Sequence, residues 1–146
     1  MNNLDDLDRR LIALLQANAR ESAADLARKL GVARTTVLSR LARLEQQKVI
    51  VGYTVRLGQD AQGPTLHAYV GVKVQPKSGK AVTRRLQAMP EVRQLCSVSG
   101  EFDYVAWLRA DTPERLDALL DEIGNVDGVE KTTTSIVLAK RIDRVA

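Results

Sequence analysis

Residues 22–44, SAADLARKLGVARTTVLSRLARL, decide the fold, because they read as two short helices joined by a tight turn. Ser22 is placed to cap the first helix, with Asp25 three residues on as the acidic half of a capping-box-like pair. Leu26, Ala27 and Leu30 form an apolar stripe, and Gly31 supplies the left-handed residue that ends a helix. The second helix is predicted from near Arg34 to about Gln47. Its Val37, Leu41 and Leu44 recur at i, i+4 and i+7 and so share a buried side. At about 100° per residue, Thr35, Ser39, Ala42, Arg43 and Gln46 point the opposite way, with Thr36 and Arg40 on the flank.

That outer side is small and polar at its start and carries arginines further along. A helix lying in the major groove of duplex DNA needs this order: short hydroxyls near base edges, longer cations near phosphates. Ala27, Gly31 and Val37 also stand at helix-turn-helix spacing: a small residue, the turn glycine, then an apolar lock. A lone helical pair is more commonly a solvated hairpin; the spacing, the local charge and the helix that precedes the pair together reverse that weighting. From Leu26 to Arg56 there are seven cations and one acid, Glu45, a net of +6 against +4 for the whole chain. Arg34, Thr35, Thr36 and Ser39 are the candidates for base edges, and Arg40 and Arg43 for phosphates.

Outward toward the N-terminus, Asp5 to about Asn18 is a helix with Asp5 as its cap and Asp8 near its positive end. Its Leu7, Leu11, Leu14 and Leu15 need a partner, so a three-helix module is expected. Outward toward the C-terminus, Val49-Ile50-Val51-Gly52-Tyr53-Thr54-Val55 is β-branched and aromatic and predicts a short strand or wing. Polar residues, two glycines and a proline then mark a linker over 58–65. The expected domains are 1–57 and 66–146.

Beyond the linker, Leu66 to Gln75 alternates, with Ala68, Val70, Val72 and Val74 on one side and His67, Tyr69, Gly71 and Lys73 on the other. A helix capped by Ser78, a strand from Val92 to about Val98, and a strand from Tyr104 to Arg109 follow. Thr112-Pro113-Glu114 opens another helix, and the last strand runs from Val129 to about Leu138. Pro90-Glu91-Val92-Arg93 parallels Asp127-Gly128-Val129-Glu130, 37 residues later. The fold class is therefore α+β: a helix-turn-helix module followed by a βαββαβ ferredoxin-like domain. Helices cover one side of such a sheet. A second subunit is expected on the other, making a dimer with two recognition helices.

Composition excludes much else. With 45% hydrophobic and 27% charged residues the chain falls among soluble globular proteins. No run is long enough to span a membrane, and MNNLDDLDRR lacks a signal-peptide layout, so a cytoplasmic protein is expected. One cysteine, Cys96, rules out an internal disulfide and is expected as a small buried residue. His67 has no identifiable metal or catalytic partner, and Trp107 is expected in the core or an interface. No phosphate loop, nucleophile elbow or CxxC occurs, so neither enzyme activity, nor a cofactor, nor a metal is expected.

The pieces LDDLDRRLIALLQANAR, DLARKLGVARTTVLSRLARLEQQKVIVGY, SGEFDY and GVEKTTTSIVL, in this order, resemble the Lrp/AsnC family of leucine-responsive and asparagine-responsive regulators. The resemblance spans nearly the whole chain. It implies a DNA-binding transcription factor that dimerises through the C-terminal domain and often assembles to octamers. It also implies a small effector, commonly an amino acid, held between subunits. Two positions depart from the family pattern: Ala33 where serine commonly caps the recognition helix, and Lys48 where glycine commonly ends it.

For the effector, the loop Gly100, Phe102, Asp103, Tyr104 is the candidate. Glycine allows close approach, Asp103 can meet an ammonium group, and the two rings can wall a pocket. Thr132, Thr134 and Ser135 match the family's Thr-x-Thr-Ser segment and would supply hydroxyls. The same residues also describe a plain β-turn with a solvated Asp beside a strand with exposed threonines. Two rivals stand beside the regulator: a small-molecule-binding regulatory subunit of an enzyme, and an architectural DNA-binding protein that senses nothing.

Overall fold

The computed structural model describes residues 3–144; the outermost positions of the two expected domains, 1–2 and 145–146, lie outside them. Two compact units divide the chain, one comprising the residues up to Arg56 together with Arg144 and the other spanning Leu57–Asp143.

The first unit holds α1 (Asp6–Ala17), α2 (Ala23–Leu30) and α3 (Arg34–Gln46). A full capping box starts α1: the Asp8 N–H donates to Asp5 Oδ1 at 2.8 Å, and the Asp5 N–H to Asp8 Oδ2 at 3.2 Å. At α2 only half of the expected pair forms. Ser22 Oγ accepts from the Asp25 N–H at 3.1 Å, while the Asp25 carboxylate turns to Arg28. Gly31 closes α2 at φ 70°. Helix α3 starts at Ala33 without a side-chain cap. It ends on Lys48, itself left-handed at φ 59°, with the Val49 N–H donating to the Leu44 carbonyl at 2.9 Å. Leu11, Leu26, Val37 and Leu44 form the core, which Leu7, Leu41, Val49 and Ile50 flank.

The strand expected over Val49–Val55 does not form. Val49 and Ile50 seal the helical core instead, and Val51, Tyr53, Val55 and Leu57 are exposed, Val51 by 85%. β-Branched composition describes a segment suited to a ladder, and among the described residues no strand pairs with it.

The second unit runs β1 (Leu66–Val74), α4 (Gly79–Gln87), β2 (Val92–Ser97), β3 (Tyr104–Ala110), α5 (Pro113–Gly124) and β4 (Val129–Ile136). A one-turn 3-10 helix, Gln59–Ala61, precedes β1. The sheet order is β2-β3-β1-β4 with every neighbouring pair antiparallel. This is the βαββαβ arrangement expected from the repeat. Thr112 caps α5 by accepting from the Arg115 N–H at 3.1 Å. Ser78 precedes α4 but makes no side-chain cap, in contrast to expectation, because its backbone is already helical (φ −91°, ψ −6°) and not extended as a capping residue requires.

Directly opposed residues share a side of a sheet. Ala68, Val70 and Val72 therefore lie with Leu108 and Ala106 under α4 and α5, in one core with Val82, Leu86, Leu116, Leu119 and Ile123. The uncovered side carries His67, Tyr69, Gly71 and Lys73 of β1, Val105, Trp107 and Arg109 of β3, and Thr133 and Ser135 of β4. Cys96 pairs with Val105 on this same side and is exposed, not buried, because β2 is an edge strand with no helix above that face. Trp107 donates through Nε1 to His67 Nδ1 at 3.2 Å, with the rings stacked 5.5 Å apart. That bond fixes the imidazole as its neutral Nε2–H tautomer. No helix among the described residues is long and apolar enough to cross a membrane.

Candidate nucleic-acid interface and effector loop

Helix α3 presents Arg34, Thr35, Leu38, Ser39 and Ala42 to solvent, with Thr36 half-buried at the edge. Val37 and Leu44 anchor the opposite side at 1% and 0% exposure. Arg34 makes no ion pair among the described residues. Leu38, 42% exposed between Arg34 and Ser39, was not singled out by sequence. Its position one residue past the buried Val37 was the available signal.

Arg40 and Arg43 behave differently from expectation. Both reach down to the N-terminal end of α1. Arg43 Nη2 meets Asp8 Oδ1 and Oδ2 at 2.6 and 2.5 Å, and Arg40 Nη1 meets Asp8 Oδ1 at 3.1 Å and also pairs with Asp5. Arg43 is thus half-buried on the flank, not on the outer side with Ser39. The reason is reach: a guanidinium on a three-carbon stem can turn toward a carboxylate well off its helical angle. Asp8 is fully buried, at 0% exposure, and these arginines are what make an ionised carboxylate tolerable there. The Arg40 guanidinium, followed by the Asp8 backbone N–H, holds the Asp5 carboxyl at about 2, well below the usual carboxylate range.

The ion pairs also change the charge count. Arg28 goes to Asp25, Lys29 to Glu21, and Arg40 and Arg43 to Asp5 and Asp8. Of the seven cations between Leu26 and Arg56, Arg34, Lys48 and Arg56 are without an ion pair among the described residues. Across residues 1–57, ten cations face six acids, a net of +4. The basic character stands, but around α3 the cations left without an ion pair are Arg34 at its start and Lys48 just past its end.

In the second unit, Gly100 takes φ 103° at the turn before β3. Phe102 folds back over β1 so closely that a Cβ on Gly71 would lie 2.7 Å from its ring. Asp103 stitches the loop down: its N–H donates to the Val72 carbonyl at 3.0 Å, and its Oδ2 accepts from the Val74 N–H at 2.9 Å. Tyr104, paired with Val72, lies on the helix-covered side, with its hydroxyl 2.6 Å from where a Gly79 Cβ would stand. The two rings expected to wall one pocket therefore sit on opposite sides of the sheet. Thr132 and Thr134, opposite Val72 and Val70, are half-buried on the helix side, and Ser135 is on the uncovered side. Strand alternation alone would have separated Ser135 from the threonines. An open cleft of about 400 Å³ gathers Asp103 and Tyr104 with Gln75, Lys77, Gly79 and Ser97. Gly100, Phe102, Thr132, Thr134 and Ser135 do not line it. Lys77 was missed in the sequence. It occupies a left-handed turn position, φ 71°, which puts it beside Asp103 in the cleft.

Against known proteins, residues 4–45 match the AsnC-type helix-turn-helix domain and residues 67–146 match the Lrp/AsnC ligand binding domain. The transcriptional regulator LrpA of Mycobacterium tuberculosis is 34% identical over 142 residues, covering 97% of this chain and 95% of that one. LrpA of Pyrococcus horikoshii is 32% identical, covering 94% and 98%. Among solved structures, Escherichia coli AsnC superposes with a TM-score of 0.88 at 25% identity, over 99% of this chain and 98% of that one. The feast or famine regulatory protein of M. tuberculosis complexed with L-methionine gives 0.82 at 33%, over 97% of both. These relatives are transcriptional regulators and not enzymes. Both halves of the chain match the same family in the same order, and this protein belongs to the Lrp/AsnC family of DNA-binding transcriptional regulators.

Proposed function

We propose that α3 enters the major groove and reads base edges with Arg34, Thr35, Thr36 and Ser39, joined by Leu38 against a thymine methyl group. The observation that carries this reading is the exposed Arg34–Ala42 surface on a helix whose other flank is fixed to α1 by Asp8. Arg40 and Arg43 have guanidinium N–H groups beyond those given to Asp5 and Asp8, and these reach phosphates at the groove edge. Reversing Arg34 to Glu abolishes specific binding, measured by fluorescence anisotropy on a DNA fragment selected from random sequence. Replacing one phosphate-contacting arginine by Gln flattens the slope of log K against log salt by about one unit. Unchanged affinity and slope in both variants would sink the assignment.

The working unit is a homodimer in the cytoplasm, joined to a two-fold DNA site and able to assemble further. The uncovered sheet side, with Tyr69 50% exposed opposite Trp107, is the surface a second copy covers. The alternating Val51, Tyr53, Val55 and Leu57 supply a further segment suited to pairing between copies, and 58–65 serves as the linker.

The effector is an amino acid. The cleft beside Asp103 holds a carboxylate and the Lys77 ammonium, which suits the two charges of a free amino acid. Phe102, Thr132, Thr134, Ser135 and Gly100 join it only through a neighbouring copy. Isothermal titration with the twenty amino acids tests this, and Asp103→Asn removes the heat if the reading is right. The architectural alternative rests on one observation: Asp103 already accepts the Val74 N–H and needs no ligand to be satisfied. A DNA footprint whose length is unchanged by every amino acid would favour it.

A further inference from the structure

The two helices that cover the sheet carry opposite charge. From Lys73 to Arg93 there are six cations and one acid, Glu91. From Glu101 to Lys131 there are nine acids and three cations. On α4 the exposed charges are Lys80, Arg84 and Arg85, with no acid on the helix. On α5 they are Glu114, Asp117, Asp121 and Glu122, and the one cation, Arg115, is turned to Glu91 and Glu122. Lys80, Arg84, Arg85, Glu114, Asp117 and Asp121 enter no ion pair among the described residues.

The spacing is as regular as the sign. Lys80 and Arg84 stand at i, i+4; Glu114, Asp117 and Asp121 stand at i, i+3, i+7, an acidic row about 10 Å long. Ala81, Ala88 and Ala118 are exposed beside them. Local stability accounts for part of this arrangement, since Arg84 and Arg85 in the last turn of α4 and Glu114 in the first turn of α5 complement their helix dipoles, but not for the rest. Lys80 sits in the first turn of α4, which has no acid and no side-chain cap. Asp121 and Glu122 sit in the last turn of α5, which has no base. Lys80, Asp121 and Glu122 therefore oppose their own helix dipoles.

We propose that the α4–α5 layer docks on the same layer of a second copy, with α4 of one protomer on α5 of the other, twice about a two-fold axis. Charge selects a second copy over DNA as the occupant. Over Leu57–Asp143 eleven cations face twelve acids, so a duplex approaching α4 also meets the acidic row, whereas a rotated copy matches both rows at once. The layer lies on the side of the sheet opposite Tyr69 and Trp107, so it extends an assembly that pairs through the uncovered side and does not depend on that pairing.

Light scattering and sedimentation of the full chain test this. Raising salt from about 0.05 to about 0.5 M screens exposed pairs and lowers the mass at fixed protein concentration. Arg84→Glu with Arg85→Glu weakens assembly by about tenfold or more. Asp117→Lys with Asp121→Lys does the same, and mixing the two variants restores the wild-type mass, which also shows that each is folded. A wild-type mass indifferent to salt, variants that assemble like wild type, or failure of the mixture to recover overturns the proposal. So does an arginine variant that changes DNA affinity at unchanged mass, since the surface would then face nucleic acid. Tyr69→Glu separates the two contacts: it disrupts pairing through the sheet and leaves the salt-sensitive step in place.

Discussion

The first unit ties its helices together with a buried charge, whereas the second holds its helices to the sheet chiefly by apolar packing. In the first, Asp8 caps its own helix, is fully buried, and holds two arginines of α3. In the second, the core residues beneath α4 and α5 are aliphatic, and the polar bonds lie at the margin, at Asp103 and Arg115. The difference follows from what each unit must position. A three-helix module this small has few apolar contacts with which to set the angle of α3, and a directional bond to α1 fixes it. A four-stranded sheet is already fixed by its ladders.

The largest expected effect breaks that contrast. Asp8→Asn leaves Arg43 facing a neutral amide and should destabilise the first unit by about 3–5 kcal/mol. The share of the helix signal carried by α1–α3 should be lost early in urea denaturation, while fluorescence of Trp107, the one tryptophan in the chain, still reports an intact second unit. Coincident loss of both signals would mean that the units do not unfold separately.

The matching test in the second unit is steric. Gly71→Val places a side chain where Phe102 now lies on β1, since even a Cβ stands 2.7 Å from the ring. Overpacking of this kind costs about 1–3 kcal/mol. Trp107 fluorescence should register it while helix signal from the first unit does not move. Phe102→Ala in the same chain should recover part of the loss.

These two cases also show what the sequence could and could not convey. Period-2 alternation and the internal repeat located four strands and two helices to within about two residues, because sheet register depends on local pattern. The helix-turn-helix was legible for the same reason. Asp8 was legible as a helix-end acid but not as the partner of Arg43, because the pairing joins residues 35 apart in sequence through a flexible side chain. The Val49–Val55 segment was misread since strand propensity cannot supply a partner. Phe102 was misplaced because it lies in the bend before β3, where alternation does not yet apply.

Smaller effects come from the ends of α3. Ala33 has the extended backbone of a capping residue (φ −71°, ψ 150°) and no side-chain bond, so Ala33→Ser should add about 1 kcal/mol. Lys48 is left-handed, and Lys48→Gly relieves that strain while giving the unfolded chain more freedom, for a net gain of about 0.5 kcal/mol. It also removes one unpaired cation, so stability should rise while the DNA salt slope flattens. A gain in both would show that Lys48 does not contact phosphate.

The least effect, and the one that sharpens the contrast furthest, is in pH. Asp5 has a folded pKa of about 2 against an ordinary 3.8, so its contribution is present above 3.8 and is lost as pH falls from there through about 2. Burial, then Lys140 and Arg109, push His67 below its ordinary 6.5, and protonation would also break the Trp107 bond. The unfolded chain then takes the proton first, and stability falls as pH drops below 6.5. The two units should therefore weaken in different windows, the second beginning near 6.5 and the first only near 4. Asp5→Asn should flatten the acid limb of the helix signal and leave the fluorescence limb, and His67→Gln should flatten the fluorescence limb together with only the share of helix signal that α4 and α5 carry. If Asp5→Asn flattens the fluorescence limb as well, the charged and the apolar unit are one cooperative structure and the contrast between them has no thermodynamic content.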